Sequence, residues 1–120
     1  MKKRFLTIAF ALLIGLSVFA DGLNETAKYF KENDIEKYNK IKTFAEQNFK
    51  GDHEMMIYVI NQQFDSMIEL GELSIKHDFD KKLMLTIMSA WYVMINDKII
   101  YDYEMIVYEY KNQLKAKSQY

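Results

Sequence analysis

Beyond residue 20, apolar positions recur at intervals of three and four, the period of helices with one face turned to a core. Over residues 24–50, Ala27, Phe30, Tyr38, Ile41, Ala45 and Phe49 share a face with Leu23. Asn33-Asp34 interrupts the run, and Asp34 either caps a second helix from Ile35 or lies within one long helix. Gly51 suits a C-terminal stop. Asp52 then caps a helix over about residues 53–76. Met56, Ile60, Phe64, Met67 and Ile68 lie on one side of that helix, with Met55, Val59, Leu70 and Leu73 nearly opposite. A helix apolar on two sides should touch two neighbours.

Asp78-Phe79-Asp80 reads as a turn and cap. Residues 83–96 carry no charge, and their apolar side chains occur all round, which predicts a buried central helix with Trp91 in the core. Asn96-Asp97 reads as a short break or bend. A last helix over about residues 98–117 turns Ile99, Tyr103, Ile106, Val107, Tyr110 and Leu114 inward. Turn residues are sparse: there is no proline, and Gly22, Gly51 and Gly71 are the glycines beyond residue 20. Strand-rich folds need such residues at short intervals. The expected fold is therefore all-α, a compact antiparallel bundle of about four helices. The alternative is three helices, the last two fused across Asn96-Asp97.

The N-terminal segment has a different character. Met1-Lys2-Lys3-Arg4 is followed by uncharged residues to Ala20, and Val18 and Ala20 stand at the −3 and −1 positions of a cleavage site before Asp21. This is the layout of a secretory signal peptide. The uncharged stretch is shorter than the roughly 20 residues of a spanning helix. The expected organisation is a signal peptide over residues 1–20 and a single helical domain over 21–120. The exported protein would be periplasmic or extracellular and would have no membrane span.

Cleavage changes the charge balance. The precursor has 16 basic and 17 acidic residues, and loss of Lys2, Lys3 and Arg4 leaves 13 against 17, a net charge of −4 without any arginine. That composition disfavours nucleic acid as a partner, because basic patches supply most of such affinity. It equally disfavours charge-driven adsorption to an anionic membrane. With no cysteine, the domain is held by packing and has neither a thiol nucleophile nor a thiolate metal site.

Candidate chemistry is thin. His53 and His77 each adjoin a carboxylate, in Asp52-His53-Glu54 and His77-Asp78, and such pairs can act as general bases. Both stand at expected helix ends, where charged groups are common and His77 would suit the dipole. Asp78-x-Asp80 lacks the glycine and closing glutamate of a calcium loop and is read as a cap. Met84 and Met88, one helical turn apart with Trp91 three residues further, could offer thioether ligands to copper, but core packing by adaptable methionines is the stronger expectation. Ser66, Ser74, Ser89 and Ser118 sit in no nucleophile elbow. No enzyme activity, cofactor or metal is expected.

Tyr101, Met105 and Tyr108 stand at i, i+4 and i+7, a stripe on the side of the expected last helix away from Ile99, Tyr103, Ile106 and Tyr110. Tyrosine and methionine are favoured at interfaces. The resulting expectation is a non-catalytic interaction module that binds a protein partner or itself through helix faces. One alternative is a carrier of a small apolar ligand or lipid between helices; a weaker one is a copper carrier.

Overall fold

A computed structural model describes residues 22–119. The expected signal peptide lies outside the described residues. Five helices and one hairpin follow in order: α1 (Glu25–Asn33), α2 (Ile35–Phe49), α3 (His53–Ser74), α4 (Lys81–Met88), β1 (Tyr92–Ile95), β2 (Lys98–Tyr101) and α5 (Tyr103–Ser118). The fold is dominated by helix, as the periodicity predicts.

Each helix start has a side-chain cap. Asn24 accepts from the Ala27 N–H, Asp34 from Lys37, Asp52 from Met55, Asp80 from Leu83 and Asp102 from Met105. These oxygens satisfy first-turn N–H groups that lack an intrahelical partner. Asp34 thus separates α1 from α2, and its own N–H donates to Phe30 O at 2.8 Å. Gly51 ends α2 with φ +87°, a left-handed backbone that glycine adopts without cost.

The long α3 is the central element. It packs against α1, α2 and α5, whereas α4 packs mainly on α5. The two cores divide α3 along its length rather than by its two apolar sides, since Val59 from one side sits with Ile60 and Phe64 from the other. Val59, Ile60 and Phe64 join Leu23, Ala27, Tyr38, Ile41, Phe44, Ala45 and Ile100 in the first. Phe30 stacks on Phe64 at 4.9 Å between ring centroids, and Tyr38 flanks Phe64 at 6.1 Å. Leu73 joins Met84, Ile87, Ile106, Val107 and Tyr110 in the second, with Met88 and Trp91 packed at its edge. Ile68, expected on the inner face, is exposed.

The prediction for residues 83–96 needs correction. The helix stops at Met88, and the chain turns at Ala90 and Trp91 into an antiparallel hairpin. Asn96 and Asp97 adopt φ +52° and +63°, a two-residue turn of the I′ type whose twist matches paired strands. The last helix accordingly begins at Tyr103, not near residue 98, and Ile99 belongs to β2. An uncharged run of apolar residues does not by itself distinguish a buried helix from paired strands. Here the left-handed turn and the β-branched and aromatic neighbours decide for strands. Trp91 is half-buried, outside any helix, and its indole N–H donates to the Glu109 carboxylate.

Candidate interaction surface

The hairpin pairs Tyr92 with Tyr101, Val93 with Ile100, Met94 with Ile99 and Ile95 with Lys98. Side chains alternate between the two faces of a strand, so Val93, Ile95, Lys98 and Ile100 share one face. That face turns toward the first core, where Ile100 is buried and Ile95 packs at the margin. Tyr92, Met94, Ile99 and Tyr101 form the other face. At its base Tyr101 packs against the second core, with its ring 6.5 Å from Tyr92 and 6.1 Å from Tyr103. β2 is therefore the seam between the cores, with Ile100 in one and Tyr101 against the other.

A buried amide anchors the seam to α3. Gln63, 2 % exposed, donates from Nε2 to Asp102 Oδ1 at 2.9 Å and accepts at Oε1 from the Tyr103 N–H at 2.7 Å. Asp102 also donates its own N–H to Trp91 O at 3.0 Å, closing the base of the hairpin. Burial raises the Tyr103 hydroxyl above its ordinary pKa, and Tyr101 adds to the effect. Gln63 is a polar position inside the apolar pattern of α3, and local periodicity does not mark it as an anchor. A lone polar residue on an otherwise buried face was its only signal.

Along β1 and at Ile99 the hairpin is apolar and open to solvent. Tyr92, Val93, Met94 and Ile99 are 46 %, 37 %, 57 % and 46 % exposed. β2 rests against α2, which leaves β1 as the outer strand. In a two-residue hairpin the pairs alternate between hydrogen-bonded and open. The Asp102-to-Trp91 bond fixes that alternation, so Tyr92 and Met94 aim their backbone N–H and C=O groups away from β2. β1 contains no charge, proline or bulge, the devices that usually block edge pairing.

The stripe expected on the last helix does not lie on one helix face. Tyr101 is in β2 and half-buried, whereas Met105 and Tyr108 are on α5, with Met105 half-buried and Tyr108 62 % exposed. The histidines are apart and exposed, His53 at the start of α3 and His77 in the loop after it. Asp52 and Asp80 are occupied as helix caps. Met84 is buried in the second core. Among the described residues no three His, Cys, Asp or Glu side chains are grouped to hold a metal ion. A cleft of about 160 Å³ between α2 and the hairpin is lined by Glu36, Asn39, Lys40, Thr43 and Lys98 beside Ile95 and Ile100, a polar wall unsuited to hydrocarbon.

Comparison with protein-family models, curated proteins and solved structures finds no match for this chain.

Proposed function

We propose that the chain is an exported, non-catalytic interaction module whose hairpin pairs edge to edge with that of a second copy. The observation that carries this reading is the open edge of β1, which is apolar, uncharged and more than a third exposed at Tyr92, Val93 and Met94. An antiparallel pairing with its two-fold axis at Val93 sets Tyr92 opposite Met94 of the second copy. It uses the outward backbone groups of both residues and joins two hairpins into a four-stranded sheet. No like charges meet across the new ladder, and each tyrosine ring meets a thioether, a favourable contact. An isologous two-fold contact of this kind closes on itself and leads to a dimer rather than a fibre.

Light scattering on the purified protein tests the proposal. The expected species is a dimer. Met94→Pro removes an outward N–H while leaving the β1–β2 ladder intact. It should yield a monomer with unchanged helical circular dichroism. Tyr108→Ser, on the exposed side of α5, should remain dimeric. A parent protein that is monomeric at its highest soluble concentration overturns the reading. A dimer broken by Tyr108→Ser and not by Met94→Pro would move the interface to α5.

A further inference from the structure

The molecule carries a second unpartnered surface, at the end away from the hairpin tip. It is built by the C-terminus of α3, the loop to α4, the first turn of α4 and the C-terminal half of α5. Asp80 ties these parts together: its N–H donates to the Tyr110 hydroxyl at 2.9 Å, and its carboxylate pairs with Lys117 at 2.6 Å. Shallow grooves across this end are lined jointly by residues 73–81 and 110–118. Residues 75–82 and 111–118 together hold six lysines, Lys76, Lys81, Lys82, Lys111, Lys115 and Lys117, against Asp78 and Asp80, a net charge of +4. Including Glu69 and Glu72 on the adjoining turn of α3 still leaves +2. Lys111 is paired with Glu69 and Lys117 with Asp80, whereas Lys76, Lys81, Lys82 and Lys115 form no close ion pair among the described residues, Lys82 only adding to the positive field around Asp80. Large apolar side chains project beside them: Ile75 is 86 % exposed and Leu85 55 %.

We propose that this end docks on an anionic phospholipid surface, with the lysines over the headgroups and Ile75 and Leu85 entering the interface. Basic side chains ringing projecting aliphatic ones are the combination that holds a peripheral protein at a bilayer. No helix among the described residues is long and apolar enough to cross a membrane, so attachment of this domain would be peripheral. The cations are all lysine. Compact point charges suit a diffuse anionic surface, whereas arginine forks suit bidentate capture of a phosphopeptide. The overall negative charge expected from the sequence conceals this end, because a sum over the chain averages a segregated distribution.

Vesicle co-sedimentation tests the proposal on the protein in the form recovered from the cell. Vesicles of phosphatidylcholine with phosphatidylglycerol are compared with phosphatidylcholine alone. The reading is the difference between the two, which removes any charge-independent contribution from the N-terminal segment. Binding should be selective for the anionic vesicles and weaken in high salt. Charge reversal at Lys76, Lys81 and Lys82 to Glu should lower that selective binding about tenfold or more. Reversal of three lysines on α1 and α2, Lys28, Lys37 and Lys42, should leave it near the parent value. Ile75→Ser, which leaves the charge unchanged, should weaken it with melting temperature unchanged, a change that charge attraction alone would not produce. Equal binding to both vesicle types overturns the proposal, as does an unchanged Lys76/Lys81/Lys82 variant. Binding of a soluble polyglutamate without binding to vesicles would overturn it in favour of an acidic protein partner.

Discussion

Gln63 shows how much one polar side chain can settle. Its amide satisfies both a backbone N–H at the start of α5 and the carboxylate that caps that helix, from a position 2 % exposed. A buried donor or acceptor left without its partner costs about 1–3 kcal/mol. Gln63→Leu keeps similar bulk but strands the Tyr103 N–H and removes a donor from Asp102. Denaturant titration should show a loss of about 1–3 kcal/mol, the scale of that penalty. Gln63→Glu should be at least as damaging near neutral pH, because a second carboxylate then faces Asp102 at hydrogen-bond distance. A Gln63→Leu variant as stable as the parent would mean that water replaces both contacts and that the amide does not fasten the hairpin. Signals of the capping kind are strictly local, which is why Asp52 and the Asp78-Phe79-Asp80 turn were legible as caps in the sequence and Asp34 as one of two readings. Asp102 was not, because the helix expected over residues 98–117 ran through it. Gln63 acts on partners 39 and 40 positions away, a relation that no local pattern contains.

At the scale of elements, the apolar faces of α1, α2 and α3 were readable because 3.6-residue periodicity has few competitors over segments of this length. The hairpin was not, since its strands are short and its turn uses Asn-Asp in place of the stronger Asn-Gly signal. With the hairpin went part of the candidate surface: Tyr101 was assigned to a helix face, whereas the exposed Tyr92, Met94 and Ile99 were assigned to a core helix or its neighbour. The joint between α4 and α5 yields a prediction of its own. The Asp80 carboxyl is held below its ordinary pKa, chiefly by the hydrogen bond from Lys117 and next by the Leu83 N–H. Lys117 is held above its ordinary value by the same bond to Asp80. A carboxyl with a depressed folded pKa contributes stability that is present above its unfolded value and lost as pH falls through the folded one. A lysine with a raised folded pKa contributes stability present below its unfolded value and lost as pH rises through the folded one. The pair is thus intact at neutral pH and fails at both extremes. Asn caps a helix as well as Asp does, so Asp80→Asn should preserve α4 and remove only the ionic part. The melting temperature of this variant should fall less steeply than that of the parent below about pH 4, where the carboxyl would be gaining its proton. Parallel acid limbs in the two proteins would show that the pair is too well solvated to register.

For the whole molecule, α3 runs through both halves of the helical body, and the first described residues are tied to it. Gly22, at φ +76°, passes so close to α3 that a Cβ there would lie 2.9 Å from Ile57 Cγ2. Its carbonyl accepts from Asn61 Nδ2, and the Asn24 N–H donates to Asn61 Oδ1, both at 2.9 Å. Asn24 Nδ2 reaches both oxygens of Asp65, whose carboxyl is raised by partial burial and brought part-way back by that bond. Gly22 and Asn24, two and four residues after the Val18-x-Ala20 cleavage signal, thus tie the chain to α3. A cut after Ala20 would leave Gly22 and Asn24 in the chain, with their bonds to Asn61 of α3. Intact-mass measurement on the protein recovered from its native host should accordingly find a chain starting at Asp21. A mass that includes Met1 through Ala20 would mean that the basic, apolar leader is retained, and the exported reading would fall with it. A cut several residues further on would be equally informative: it would take away Gly22 and Asn24, and the loss of their bonds to Asn61 and Asp65 should then appear as a lower melting temperature than that of a chain beginning at Asp21.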